Sequence, residues 1–263
     1  MNVGRIGGLL SRHLYLYKRS FARLLEIFYW PFLDLVVWGF ITMYLKEAGV
    51  SLHGAVAFFL GALILWDVLF RAQQGIAVSF LEEMWARNLM NLFASPLTVG
   101  EYLVSTMIMS MLKVIAVGSL MMVFAWVFYS YDMLKIGISL FPFILNLVVS
   151  GWIIGVLTTS IIMRFGQQAE VLAWGMVFLF QPISCVFYPL EVLPPILQSI
   201  AWLVPPSHIF EGMRTVLVDG ATPVDHILWA TGLNLFFLVI VVGWFYHTFN
   251  VCKDKGSLVR IGE

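Results

Sequence analysis

The chain has 263 residues, of which 61% are hydrophobic and only 11% are charged. A soluble domain of this size carries about 25% charged residues, so this composition excludes an ordinary soluble domain. Fifteen Lys and Arg residues balance fifteen Asp and Glu residues, but in a membrane protein the distribution of charge across the membrane matters and a zero net charge does not identify partners. We expect no nucleic-acid partner. The five histidines are scattered, so we expect no metal site.

Long apolar stretches separated by short polar breaks fill the sequence. There are six, at residues 27–45, 54–80, 102–129, 136–163, 169–190 and 226–249. A helix needs about 20 residues to cross the hydrocarbon core of a bilayer, and each stretch is of that length or longer. Backbone amides in lipid must be bonded within their own segment, which favours helices. The sequence therefore predicts an all-α membrane protein with six transmembrane helices.

The distribution of Lys and Arg predicts the orientation of these helices. Eleven of the fifteen lie in the N-terminal segment, the second-to-third and fourth-to-fifth breaks with their flanks, and the C-terminal tail. Positive residues collect on the cytoplasmic side of membrane proteins. We therefore expect both termini in the cytoplasm, with 250–263 as a cytoplasmic tail.

Residues 5–25 have the pattern of an amphipathic helix lying in the cytoplasmic interface. Apolar residues recur at steps of three and four on one face, namely Ile6, Leu10, Leu14, Tyr17, Phe21 and Leu24. Arg5, Arg12 and Arg19 recur at steps of seven on the opposite face. Such a helix places its apolar side in the acyl boundary and its arginines toward anionic headgroups. The alternative is a plain cytoplasmic extension.

A second amphipathic helix is predicted at residues 82–95, between the second and third spans. Trp85, Leu89 and Phe93 share its apolar stripe, and Pro96 ends it because the residue before a proline avoids the α region. Glu82 and Glu83 are then placed at the helix N-terminus, where the helix dipole favours acids. This helix either rests on the bilayer or docks on a partner.

Residues 189–220 predict a re-entrant pair of half-helices on the extracellular side. The apolar run 196–204 is too short to cross a membrane and is bracketed by Pro-Pro pairs. A second short helix is expected at about 207–218, closing at Gly220. The residues that define the hairpin are Pro189, Pro194, Pro205, Glu211 and Arg214.

Four charged residues lie deep in the predicted spans, namely Asp34, Asp67, Arg71 and Lys113. Depth along the helices favours the pairs Asp34–Arg71 and Asp67–Lys113, whereas the four-residue spacing allows Asp67–Arg71 instead. Two acids and two bases at matched depths favour mutual neutralisation over a proton relay.

In the fourth span, Gly151 and Gly155 form a GxxxG pair that lets another helix backbone come close.

The order of these parts resembles the ABC-2-type permease, the membrane subunit of ABC exporters. One matching segment is Leu92-Phe93-Ala94-Ser95-Pro96-Leu97, similar to the turn after that family's coupling helix. The other runs through Phe187-Tyr188-Pro189, Leu193-Pro194, Leu197-Gln198, Pro205-Pro206-Ser207 and Glu211-Gly212-Met213-Arg214. The resemblance covers nearly the whole chain. It implies that residues 1–263 form a single transmembrane domain.

The resemblance implies a half-transporter in a bacterial-type cytoplasmic (inner) membrane, in which two copies pair and each docks a separate ATPase subunit. The ATPase would hold ATP and Mg, with no cofactor on this chain. The chain has no G-x-x-x-x-G-K-[ST] phosphate loop, so we expect no enzyme activity from it alone. The helix at 82–95 would be the ATPase-coupling helix, with Glu82 and Glu83 pairing basic groups on the ATPase rim.

The resemblance also implies an amphipathic cargo: a lipid-linked glycan, a glycolipid or a hydrophobic drug. Sugar-exporting members stack glycans on aromatic rings, for which Trp38, Trp174 and Phe178 are the candidates, although lipid-facing belts and core packing explain such residues as well. An ion-coupled secondary transporter and a non-transporting membrane scaffold are the alternative functions.

Overall fold

The computed structural model describes residues 1–47 and 55–256. This part of the chain is helical and contains no strand, which confirms the all-α class. Its α-helices are α1 Val3–Arg19, α2 Phe21–Glu47, α3 Ala55–Trp85, α4 Leu89–Ala94, α5 Val99–Tyr129, α6 Leu140–Phe165, α7 Leu172–Phe180, α8 Pro195–Ala201, α9 Pro205–Asp219 and α10 Val224–Asp254. Residues 257–263 of the predicted tail lie outside the described residues.

Within the described residues, three helical segments are long and apolar enough to cross a membrane. They are Val99–Tyr129, Met133–Ala169 and Val224–Asp254, and the second joins α6 to short 3-10 turns at both ends. With 27 and 31 residues, α2 and α3 also exceed the length that a span needs. The count of six spans stays a prediction.

The fifth predicted span, 169–190, is not one continuous helix. Its α-helical part, α7, has 9 residues and ends at Phe180. A 3-10 turn begins at Pro182, and Cys185 takes the left-handed conformation with φ 54°. Proline at 182 has no N–H to donate to an α-helical hydrogen bond, but Gln181 before it keeps helical dihedrals with φ −56° and ψ −47°. The helical run therefore ends at the left-handed Cys185.

The α3–α6 pair forms the centre of the fold. α5, with α1 and α2, packs on the α3 side, and α10 with α9 packs on the α6 side. The GxxxG prediction is confirmed. A Cβ on Gly151 would lie 2.5 Å from the carbonyl oxygen of Leu69, and one on Gly155 would lie 2.8 Å from that of Gln73. Only glycine permits this approach of the two backbones.

Large apolar side chains cover the outward faces of α5 and α10. Trp126 and Phe128 are 64% and 55% exposed on α5, and Phe236 and Val239 are 61% and 75% exposed on α10. An apolar surface of this extent is stable against hydrocarbon and not against water. The exposure agrees with a multi-pass membrane protein.

The amphipathic N-terminal helix is shorter than the predicted 5–25. α1 ends at Arg19, and Ser20 has an extended backbone with φ −117° and ψ 102°. The Ser20 hydroxyl accepts a hydrogen bond from the backbone N–H of Arg23 at 3.4 Å. Serine is a preferred N-cap, so Ser20 ends one helix and starts the next.

The half-helix pair is present where the prolines predict it. α8 begins at Pro195 and α9 at Pro205, both suited to the first helical turn. α9 ends at Gly220, whose φ of 67° favours glycine. The extracellular, re-entrant placement of this pair stays a prediction.

Candidate functional site

The predicted coupling segment 82–95 is a helix end, a turn and a short second helix. α3 continues through Trp85, Arg87 takes the left-handed conformation with φ 52°, and α4 starts at Leu89. Glu82 and Glu83 therefore lie at the C-terminal end of α3, where the helix dipole disfavours acids. The prediction that they lie at a helix N-terminus is wrong.

Glu83 is buried, with 1% of its surface exposed, and other residues of the chain hold its carboxylate. The guanidinium of Arg12 donates to both carboxylate oxygens, at 2.5 and 3.0 Å. The side-chain amide of Asn88 donates to Oε2 at 2.6 Å. These hydrogen bonds stabilise the Glu83 carboxylate, which the helix dipole disfavours at the C-terminal end of α3. They also leave Glu83 unable to serve as the predicted contact on an ATPase rim.

His13 lies beside this ion pair on α1. Its Nε2 is 4.0 Å from Oε1 of Glu83, and neither ring nitrogen has a hydrogen-bond partner among the described residues. Burial lowers the pKa of His13 to about 4; Glu83 opposes this shift, whereas Lys113, Arg12 and Arg23 add to it. The ring is therefore neutral at pH 7.

Two further ion pairs fasten the N-terminal segment to the same region. Arg23 lies 3.4 Å from Glu82, and Arg5 lies 3.6 Å from Glu101. Arg5 also donates to the backbone carbonyl of Pro96 at 2.5 Å. The predicted headgroup-facing arginine face is thus wrong for Arg5 and Arg12, which turn toward acids of the protein.

Of the predicted apolar anchors, only Trp85 remains well exposed. Leu89 is buried at 4% exposure, and Phe93 packs edge-on against Phe249 with ring centroids 4.8 Å apart. Trp85 is 48% exposed, stacks on Trp174 at 6.0 Å and donates from its indole N–H to Glu170 at 3.1 Å. The stripe therefore faces the protein for most of its length.

The outward side of the turn and of α4 is instead formed by residues that the sequence did not single out. Arg87 and Asn91 are exposed, and Met90 is 54% exposed. The apolar side chain of Met90 is thus flanked by the charge of Arg87 and the amide of Asn91. This is the composition of a small protein-contact surface.

The start of α5 fixes the other end of the predicted coupling segment. Thr98 and Glu101 form a capping box, in which each side chain bonds the other's backbone N–H. Glu101 also accepts from the backbone N–H of Asn2 at 2.7 Å. The T-x-x-E spacing in the sequence is a recognised helix-start signal that could have identified Glu101.

Of the alternative pairings for the deep charges, the structure contains Asp67–Arg71. Nε of Arg71 lies 3.2 Å from the carboxylate of Asp67, and both residues are buried. Asp34 is exposed on α2. The Nζ of Lys113 lies 4.7 Å from the ring centroid of Tyr17.

The proline-bounded hairpin of α8 and α9 is stabilised by Glu211 and Arg214 on α9. They pair at 2.8 Å. Arg214 also donates to the carbonyls of Cys185 and Tyr188 at 2.5 and 2.6 Å, while Glu211 accepts from the backbone N–H of Leu190 at 2.7 Å. These bonds satisfy the irregular backbone between α7 and α8, which a low-dielectric environment requires.

The three candidate path aromatics lie in separate places. Trp38 stacks on Phe187 with centroids 4.6 Å apart, Trp174 stacks on Trp85, and Phe178 packs 5.5 Å from Phe70. The structure does not bring Trp38, Trp174 and Phe178 together into one row.

Helices of transmembrane length, a short helix bridging α3 and α5, and a proline-bounded hairpin define a multi-pass membrane domain. The model of the ABC-2 type transporter family matches residues 10–218, from within α1 to the end of α9. The chain belongs to this family and is the membrane permease component of an ABC transporter, a class that works with an ABC ATPase. A comparison with curated protein sequences gives no match.

Proposed function

We propose that this chain is the membrane subunit of an ATP-driven exporter, and that two copies pair and each docks one ATPase subunit. ATP and Mg bind the ATPase, since this chain has no phosphate loop. The cargo is an amphipathic molecule: a lipid-linked glycan, a glycolipid or a hydrophobic drug. The family match and the position of α4 between α3 and α5 carry this proposal.

Because α4 connects α3 to α5, it is suited to transmit force to both helices. It is joined to α3 by the turn at 86–88 and to α5 by the capped turn at 95–98. Leu89 and Leu92 are buried, so α4 cannot slide without moving the core that it packs on. A closing ATPase that pushes on α4 would move both long helices together.

The ATPase contact is assigned to the exposed side of this bridge, namely Arg87, Met90 and Asn91, with Trp85 at its edge. In helix-in-groove recognition, apolar anchors enter the partner surface and charges at the rim orient it. Met90 is the apolar anchor, and Arg87 offers a positive charge to an acidic rim. This replaces the acidic contact that Glu82 and Glu83 were predicted to make.

The pairing of two copies is supported by the exposure of Asp34. A carboxylate at membrane depth is costly against lipid, and such residues face other protein or a water-filled path. Asp34 lies in α2 and is exposed on the single chain. We therefore place this part of α2 toward the second copy or the transport pathway.

Co-purification tests this function. The tagged chain, extracted in mild detergent from its native membrane, should bring an ATPase with a phosphate loop in equal molar amount, whereas the chain alone should hydrolyse no ATP. Turnover by the isolated chain, with trace ATPases excluded, would contradict the subunit assignment. Ion-gradient-driven transport by the chain without any ATPase would favour the secondary transporter instead.

A further inference from the structure

An apolar cavity of about 220 Å³ lies beside the proline-bounded hairpin. The turn between α8 and α9 forms one wall, and α6, α10 and the end of α7 form the others. The lining includes Ile154, Leu157, Phe180, Val204, Phe237 and Val241. Because Phe237 and Val241 fall near the middle of α10, the cavity lies at the middle of that span.

The wall of the cavity offers almost no group that would hold water. Its two polar side chains, Ser150 and Asn234, are bonded to the protein: the Ser150 hydroxyl lies 2.8 Å from Oδ1 of Asn234, and Asn234 donates to the carbonyl of Asn146 at 3.0 Å. Pro205 and Pro206 begin α9 there, and proline has no N–H to present. The first turn of α9 would normally present free backbone N–H donors, but here it presents an apolar surface to the cavity.

Such a cavity is dry, so it is either empty or filled by an apolar ligand. An engineered apolar cavity of about 150 Å³ stays free of water and binds benzene. The present one is larger, at about 220 Å³. Its mouth is lined by Leu203, which is 60% exposed, with Ile153, Leu157 and Phe237 half-buried behind it.

We propose that this cavity binds one acyl chain of a bilayer phospholipid, which packs the hairpin turn against α6 and α10. At this depth the medium at the mouth is hydrocarbon, and the bonded polar groups leave nothing for a headgroup to contact. The proposal rests on membrane insertion alone and not on the cargo or the ATPase.

Photolabelling tests the site in the wild-type chain. The protein is placed in phosphatidylcholine vesicles that contain a trace of phosphatidylcholine carrying a diazirine on its acyl chain, with no cargo present. After irradiation, peptide mass spectrometry should find label on Val204 and Val241, although they are only 8% and 7% exposed. Label on exposed Val239 with none on Val204 or Val241 would overturn the site.

A matched pair of variants tests the cavity itself. Val241→Phe fills it, whereas Val239→Phe makes the same change two residues away on the lipid-facing side of α10. Label at Val204 should be lost in the first variant and retained in the second. Equal labelling of Val204 in both would contradict the proposal. Should Val241→Phe fail to fold, Val241→Ala enlarges the cavity and should keep or increase the label at Val204, and loss of label there would count against the site.

Discussion

The guanidinium of Arg12 and the carboxylate of Glu83 form a two-point ion pair between residues 71 positions apart in sequence, with N–O distances of 2.5 and 3.0 Å. The pair joins α1 to the last turn of α3. Because α3 leads directly into α4, the N-terminal helix is attached to the segment that we assign to ATPase contact. Movement of α4 is therefore expected to carry α1 with it.

Arg12→Gln should destabilise the chain, because it leaves the buried Glu83 carboxylate with too few donors. A buried group that loses its partner costs about 1–3 kcal/mol, measurable as the free energy of unfolding in mixed micelles. Arg19→Gln is the control, since Arg19 is an exposed arginine on the same helix. The double variant Arg12→Gln, Glu83→Gln should recover part of the loss. Purely additive effects would show that the two side chains do not interact.

Acidification should weaken the attachment of α1 through His13. Its pKa is lowered from 6.5 to about 4 in the folded chain, first by burial. The unfolded chain thus binds more protons between these values, so the stabilising contribution is complete above pH 6.5 and is lost as the pH falls toward 4. Between pH 7 and 5 the loss is about 2 kcal/mol.

The measurement is the free energy of unfolding at both pH values for His13→Phe and His247→Phe. The first variant should lose this part of the pH dependence. The second should keep it, because His247 is exposed on α10. If the free energy of unfolding of His13→Phe keeps the same pH dependence, His13 is not its cause.

Asp67 and Arg71 should behave as a mutually dependent pair. Removing one partner of a buried pair costs about 3–5 kcal/mol, while removing both costs less. Asp67→Asn and Arg71→Gln should each lower the folded fraction in detergent, and the double variant should be better folded than either. Asp34→Asn is the comparison for the alternative pairing. If it rescues Arg71→Gln while Asp67→Asn does not, the observed pairing is wrong.

Thiol labelling should establish the orientation of the hairpin. The native cysteines are poor targets, since Cys185 and Cys252 are 0% and 3% exposed. Ser199→Cys places a thiol on the exposed side of α8, and Ser11→Cys places one on the exposed side of α1. An impermeant reagent added outside should modify the first only, and Ser11→Cys should react after the membrane is opened. The reverse pattern would overturn the predicted orientation.

The sequence predicted best those features that depend on local chemistry. The prolines at 195 and 205 and the glycine at 220 predicted the bounds of α8 and α9 closely. Proline has a fixed φ that suits the first helical turn, and glycine tolerates the left-handed conformation that ends a helix. The GxxxG pair likewise identified a close helix contact. Apolar length predicted the all-α class, although the left-handed Cys185 interrupts the predicted fifth span before it is complete.

Contacts between distant residues could not be predicted in this way. The periodicity of Arg5 and Arg12 identified a common face, but their partners, Glu101 and Glu83, lie 96 and 71 residues away. The turn at Arg87 carries no glycine or proline to mark it, and so the last turn of α3 and the whole of α4 were predicted as one separate helix, 82–95. This error placed Glu82 and Glu83 at the wrong end of a helix and assigned them to a partner surface.

Binding of the ATPase subunit to the chain in lipid nanodiscs tests the central claim most directly. Met90→Asp and Arg87→Glu alter the exposed side of the α4 segment, and Arg164→Glu makes the same reversal on an exposed arginine at the end of α6. We expect the first two to raise the dissociation constant about tenfold or more, a loss of about 1.4 kcal/mol of binding free energy. The control should bind as the wild type does. Wild-type affinity in both α4-segment variants, or an equal loss in Arg164→Glu, would contradict the assignment of this segment as the ATPase contact.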